Sequence, residues 1–293
     1  MKIIQSFWSR PLIYRGTKNT GWPSFEFYLM SWCLSALLLK KHYGKIELYT
    51  DDLGKELLIN LLGLPYSRVD CSLNELDKYN PRYWALGKVY TYGIQDKPFL
   101  HLDNDVFLFK KFDDYFFDYE LIAQNIDFNI PIYSKCLKEL EQNNIVLPSF
   151  CRKVEIDSIY SANLGITGGH SIRFFEKLSN VCFGFIKNNS EFMHTLDIES
   201  MAVIYEQLFF FQLAKQLNIP INFFFNNIDS GFQDFTSFSN YKKNNFYVHL
   251  ISTYKKNLKK IWHMEQQLRK EFPSYYCYFK KIIKNENYSN LLV

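Results

Sequence analysis

The stretch Phe99 to Phe109 reads FLHLDNDVFLF, two acids one residue apart inside an otherwise mainly apolar run. Short apolar runs of this kind make buried strands, and an unpaired carboxylate buried there costs several kcal/mol or is forced to protonate. Whatever the chain folds into must therefore neutralise Asp103 and Asp105. A carboxylate pair at i and i+2 at the end of a strand suits a divalent cation such as Mn²⁺ or Mg²⁺, which takes oxygen ligands and completes its shell with substrate phosphates. The competing reading is that the acids cap the turn after the strand, since two acids with one residue between them also recur by chance.

The surrounding pattern is α/β. KIIQSFW reads as a first strand. Ser24 caps a long apolar helix that ends at Gly44, and KIELYT follows as a second strand. DDLGKELLINLLG reads as a helix capped by Asp51 or Asp52 and stopped at Gly63, and a further helix from Pro81 to about Gln95 leads into the acid-bearing strand. This alternation predicts a mixed, mainly parallel sheet flanked by helices, whose ligands bind at the carboxyl ends of the strands. Further on, the pattern predicts polar loops from Asp127 to Pro148, then a turn and a helix in YSANLGITGGHSIRFFEKL. A helix over 199–217, a strand near Ile221 to Phe225 and NFYVHLIS follow. The expected division is one domain over 1–256 and a basic, aromatic helical tail over 257–293 packed on it.

At 293 residues the chain has ample length for a core without disulfides, and its six scattered cysteines with no CxxC pair point to a reducing, cytoplasmic setting. A net charge of +4 argues against a polycation built for nucleic acid. The longest apolar helical run, Tyr28 to Leu39, is short of the roughly 20 residues of a membrane span. Charge is instead concentrated near the end, where eleven basic residues stand between Lys242 and Lys284 against Glu265 and Glu271. Leu258, Ile261, Trp262, Leu268 and Phe272 fall near helical spacing there, an apolar stripe expected to pack on the domain, with the lysines available for peripheral contact with an anionic inner membrane surface.

Taken in order, ELYTDD, WALGKVYTYGIQDKPFLHLDND, SANLGITGG, YEQLFFFQLA and HLISTYK resemble the motifs of GT-A-fold glycosyltransferases. The nearest resemblance is to the glycogenin and lipopolysaccharide galactosyltransferase type and related uncharacterised bacterial glycosyltransferases. It runs over roughly 1 to 256. HLISTYK departs from the His-x-x-Gly-x-x-Lys signature at Ser252, and Lys256-Asn257 replaces the usual Pro-Trp.

The resemblance implies a GT-A-like, Rossmann-type fold. It also implies metal-dependent transfer of a sugar from a nucleotide-sugar, expected to be a UDP-sugar, to a glycan or lipid-linked acceptor in bacterial surface glycan synthesis, with retention favoured. Residue by residue it makes Asp103, Asp105 and His249 the ligands of Mn²⁺ or Mg²⁺. Lys88, Asn104, Gly168, Gly169 and Lys255 fall to the donor phosphates and nucleotide, and Asn163, Glu206 and Gln207 to the reacting sugars. Each residue has a plainer alternative: a core histidine for His249, surface lysines for Lys88 and Lys255, a simple glycine turn over Asn163, Gly168 and Gly169, and a polar helix face for Glu206 and Gln207. Trp8 is either core or part of a nucleoside pocket.

Two other functions compete. LHLDNDV superficially matches the haloacid dehalogenase phosphohydrolase signature, with Asp103 as nucleophile and Asp105 as acid/base, although that motif usually lies near the chain start. A GT-A-like scaffold that binds carbohydrate without turnover is the other.

Overall fold

The computed structural model describes residues 1–15, 21–191, 196–225, 232, 235–239 and 246–285. Lys242 and Lys243 of the basic segment, and residues 16–20 ahead of the helix capped by Ser24, lie outside them. In chain order the elements are β1 (Lys2–Phe7), α1 (Arg10–Arg15), α2 (Phe25–Tyr43), β2 (Glu47–Thr50), α3 (Asp52–Lys55), β3 (Arg68–Asp70), α4 (Leu86–Gly93), β4 (Phe99–Leu102) and β5 (Val106–Leu108). They continue with β6 (Leu121–Phe128), α5 (Pro131–Gln142), β7 (Tyr160–Gly169), α6 (Ile172–Asn188), α7 (Phe209–Gln216), β8 (Ile221–Phe225), β9 (Tyr247–His249), α8 (Leu258–Glu271) and α9 (Pro273–Lys284). The fold is the expected α/β class, mixed and mainly parallel in its sheet pairing, with a helical C-terminal segment.

The chain forms two compact units. A terminal unit takes Lys2–Lys78, Leu102–Phe112 and Ser230–Val293; a central unit takes Tyr79–His101 and Asp113–Asp229, with Met1.

In the terminal unit β3, β2 and β1 run parallel, in that order. The carboxyl ends of β1 and β2 are tied together by Asp51. Its Oδ2 accepts from the Ser9 N–H and hydroxyl, both at 2.8 Å, and its Oδ1 accepts from the Gly54 N–H at 2.8 Å as the cap of α3. The helix α2 starts where the Ser24 hydroxyl accepts from the Phe27 N–H and ends at Gly44, whose φ of 73° a side chain would resist. Leu29, Met30, Trp32, Cys33, Leu34 and Ala36 are buried on several of its faces, so α2 is a central helix of this unit. On it packs α8, and α9 reaches the end of the helical segment Glu56–Leu61 that continues from α3, through Tyr275 Oη to the Leu62 carbonyl at 2.5 Å and Tyr278 Oη to that of Leu61 at 2.8 Å.

The packed stripe of α8 is narrower than expected and differs in membership. Ile261, Met264 and Leu268 are buried, whereas Leu258 is 72% and Trp262 55% exposed, because residues at i and i+4 here share a face turned from α2.

In the central unit the strand order is β4, β7, β6, β8, with β6 antiparallel to β7 and parallel to β8. Two expectations change here. Residues 127–148 are not polar loop: β6 runs to Phe128, and Pro131 opens α5, whose Tyr133, Cys136, Leu137 and Leu140 recur at helical spacing and are buried. Nor do Asn163, Gly168 and Gly169 make a turn. They lie in the ten-residue strand β7, and Asn163 Oδ1 accepts from the Gly165 N–H at 3.0 Å.

The glycines are demanded by neighbouring backbone, since a Cβ on Gly168 would lie 1.9 Å from the Phe99 carbonyl oxygen and one on Gly169, at φ 134°, 2.1 Å from that of Glu120. The helix expected from Pro81 starts only at Leu86. Asn80 holds the preceding residues in a turn by accepting from the Arg82 N–H at 3.0 Å, which competes with helix formation.

Gly168→Ala is therefore expected to lower unfolding free energy by about 1–3 kcal/mol, the range for an inserted group that forces backbone to shift. Gly184→Ala, on α6 where nothing lies within 4 Å, should raise it by about 1 kcal/mol. Urea unfolding of the two variants checks the pair.

Candidate cation site

The turn after β4 is built from both sides of the terminal unit. The Val106 N–H donates to the Asp103 carbonyl at 3.1 Å and closes it. From α2, the Ser31 hydroxyl accepts from the Asn104 amide at 2.9 Å, and the Ser35 hydroxyl donates to the Val106 carbonyl at 2.8 Å. Ser35 is itself bound by Gln5 of β1, whose amide nitrogen also donates to the Leu102 carbonyl at 3.3 Å. Two serines one helical turn apart in the apolar middle of α2 are thus the anchors of the acid pair. That spacing was visible in the sequence and is the signal that would have found them.

The third participant arrives through pairing of β5 with β9. Antiparallel register sets His249 opposite Val106, and the Leu250 N–H donates to the Asp105 carbonyl at 3.0 Å. His249 is 3% exposed, its N–H donates to the Phe235 carbonyl at 2.8 Å, and its ring stacks on Phe235. One ligand atom from each of Asp103, Asp105 and His249 lies within 4.8 Å of the others.

After β9 the chain turns through Ser252, at φ 51°, into a short turn that carries Lys255 back to the acids. Lys255 Nζ lies 2.6 Å from Asp105 Oδ2, and His249 Nε2 lies 3.2 Å from Oδ1. Burial alone would raise the Asp105 carboxyl, but Lys255 and His249 outweigh it and hold it well below the usual carboxylate range. Tyr28 of α2, a half-buried residue, has its phenol pushed above the ordinary range by desolvation of the hydroxyl and by the Asp105 charge.

The donor set of two carboxylates and an imidazole, whose ligand atoms lie within 4.8 Å of one another, suits Mn²⁺ or Mg²⁺, so the residues fit such an ion. Trp8, directly after β1, is 5% exposed, and its indole N–H finds no hydrogen-bond partner among the described residues.

The remaining sequence-derived residues lie in the central unit. Lys88 is no solvated helix lysine: it is buried, its Nζ is 2.7 Å from Glu206 Oε1, and it donates to the Leu164 carbonyl at 3.3 Å. Glu206 is fully buried and also accepts from the Tyr92 hydroxyl at 3.3 Å. Gln207 Oε1 lies 2.6 Å from Tyr133 Oη, which reaches Asp127 Oδ2 at 2.9 Å. In the central unit, Asp127 and Tyr133, hidden in a segment read as loop, are polar residues that the sequence reading missed, as it missed Ser31 and Ser35 in the terminal unit. Burial, with Lys88 nearby, pushes the His101 imidazole well below its usual value, so it stays neutral there.

The chain belongs to DUF6734, a family of unknown function. The family profile matches residues 1–284 and so takes in both units and the two tail helices. No curated protein matches the chain by sequence.

Among solved structures, this DUF6734 chain is similar to the galactosyltransferase LgtC in complex with donor and acceptor sugar analogues, at 14% identity and a TM-score of 0.36 over 70% of each chain. An active-site mutant of LgtC gives 13% identity and the same TM-score. Mouse xyloside xylosyltransferase 1, in its apo form, is similar at 12% identity and a TM-score of 0.40, covering 85% of this chain and 96% of its own. TM-scores of this size leave the reading of the DUF6734 chain to its own residues.

Ser252 stands where the resembling signature has glycine, in the left-handed conformation that glycine adopts freely. The strain of about 1–2 kcal/mol for a side chain there is partly offset in a glycine variant by extra chain entropy. Ser252→Gly should hold or raise thermal stability, and Ser252→Val, with its branched Cβ, should lower it by about 1–2 kcal/mol. Thermal unfolding of the two side by side is the check.

Proposed function

We propose that this chain is a metal-dependent glycosyltransferase that moves a sugar from a nucleotide-sugar, expected to be a UDP-sugar, to an acceptor hydroxyl. The observation that carries the reading is the convergence of Asp103, Asp105 and His249, remote in sequence, on one point with Lys255 against them. Bound there, a divalent cation supplies positive charge to offset that on the departing diphosphate. Asp103, Asp105 and His249 would hold it. Lys255 is placed to grip phosphate oxygens as a point charge, and the buried indole N–H of Trp8 suits an acceptor atom of the nucleoside. In the central unit, Gln207 is the candidate to contact the reacting sugars, and the Lys88–Glu206 pair to support it; the Glu206-Gln207 match favours retention. Glycan and lipid-linked acceptors of bacterial surface polymers remain the expected acceptor class.

A haloacid dehalogenase-type reaction with Asp103 as nucleophile would need Asp105 to carry a proton, and an ion-paired Asp105 is ill suited to that. A carbohydrate-binding scaffold has little use for a cation cluster.

Isothermal titration with UDP tests the reading. Binding should require Mn²⁺ or Mg²⁺ and vanish in Asp105→Ala while most of the fold persists, and a screen of nucleotide-sugars by mass spectrometry should find sugar transfer or donor hydrolysis. UDP binding indifferent to EDTA would overturn it.

Peripheral attachment to an anionic bilayer belongs to the same proposal. No helix among the described residues is long and apolar enough to cross a membrane. The start of α8, however, sets Leu258 and Trp262 in the open beside exposed Lys256 and Lys259. Each such lysine is worth about 1 kcal/mol at an anionic surface. Trp262 is the one exposed tryptophan of the chain's five, so its fluorescence should shift to the blue on anionic vesicles and stay put on neutral ones. Lys256→Glu with Lys259→Glu should abolish sedimentation with the vesicles; equal recovery with both lipids would overturn the attachment.

A further inference from the structure

Both oxygens of the Asp105 carboxylate are engaged by the protein itself, Oδ2 by Lys255 and Oδ1 by His249. A cation that takes Asp105 as a ligand shares that carboxylate with an ammonium group 2.6 Å from Oδ2, and the two like charges compete for it. The three partners are not equally free to yield. Asp105 is 4% exposed and its backbone carbonyl is held by Leu250 N–H, while His249 is fixed by Phe235 through its N–H and its ring. The Lys255 side chain is 22% exposed, sits on a flexible four-carbon stem, and has Gly21 as a neighbour, where a Cβ would stand 3.4 Å from its Cδ.

We propose that Lys255 is a built-in counter-ion that closes the cation site until an anionic ligand draws it away. The chain would then bind a divalent cation together with a nucleoside diphosphate, and the bare cation poorly. The inference rests on the metal-dependent reading above and adds an order to it. An ammonium displaced from Asp105 by a divalent cation is left beside two new positive charges, which repel it. A diphosphate removes that conflict, because it has oxygens for both cations. Affinity for each ligand rises when the other is present, and by linkage the two effects are equal.

The test is titration of the full chain with Mn²⁺, free metal read by electron paramagnetic resonance, in the wild type, Lys255→Gln and Lys255→Arg. Without nucleotide, Lys255→Gln should bind Mn²⁺ more tightly, on the order of tenfold, the scale of one charge-assisted hydrogen bond given up. Lys255→Arg keeps the charge and should behave as the wild type, which separates the effect from loss of fold. With UDP present, the wild type should gain Mn²⁺ affinity and Lys255→Gln should gain less. Equal or weaker binding of bare Mn²⁺ by Lys255→Gln would overturn the inference alone. Failure of all three proteins to bind Mn²⁺, with or without UDP, would overturn the metal-dependent reading and this inference with it.

Discussion

A carboxylate buried to 4% exposure has to be balanced where it lies, and much of the terminal unit around the turn after β4 serves Asp105. The balance is local and multiple. Lys255 supplies charge, His249 a polar edge, and Ser31, Ser35 and Gln5 hold the turn so that the carboxylate meets both. Removing one partner of such a pair typically costs 3–5 kcal/mol, because the other charge stays buried. The same sensitivity makes the arrangement useful: a site stabilised by an exchangeable cation can trade its own ammonium for an ion from solution.

The central unit repeats the principle without the exchange. Lys88 and Glu206 are both buried, with the Tyr92 hydroxyl donating to Glu206 Oε1 and Lys88 donating also to the Leu164 carbonyl. Nothing about this pair resembles a surface lysine, and truncating Lys88 would leave Glu206 buried with its strongest partner gone. Beside it in sequence, Gln207 is steadied by Tyr133, which is in turn bound to Asp127. A half-exposed amide fixed from behind by a buried hydroxyl and acid is oriented before any ligand arrives, which lowers the entropy cost of using it.

How much of this was legible depended on whether a residue's role is set locally. Ser24, Gly44 and, in its role as cap of α3, Asp51 act within a few residues of themselves, and the capping pattern found them, whereas the bond of Asp51 to Ser9 lies outside any such pattern. The acid pair was legible because a charged doublet contradicts its apolar surroundings. β6 and α5 were not, because Asn125, Asp127 and Asn129 give the segment the composition of a loop, while in the fold Asn125 and Asp127 bond each other, Tyr133 of α5 reaches Asp127, and Asn129 accepts from the Ile159 N–H thirty residues on. The glycines of β7 misled for a related reason. Gly168 is a glycine because the Phe99 backbone lies against it, a fact of strand packing that only the folded sheet contains. Likewise Ile261 and Trp262 are adjacent in sequence, and only the position of α2 decides that one is buried and the other exposed.

The two departures from the His-x-x-Gly-x-x-Lys signature are accommodated by the structure. Ser252 keeps the left-handed backbone that turns the chain after β9, accepting strain where glycine would accept none, and the turn still delivers Lys255 to Asp105. Lys256-Asn257, in place of Pro-Trp, gives the following segment a helix start: Asn257 Oδ1 accepts from the Lys260 N–H at 3.1 Å and caps α8. The cap fixes where α8 begins, and with it the face on which Leu258 and Trp262 stand exposed. One short run of chain, 249 to 262, therefore contributes a candidate ligand, a counter-ion and an exposed basic, aromatic edge in succession. A change in the backbone at Ser252 would be felt first by Lys255 and next by that edge.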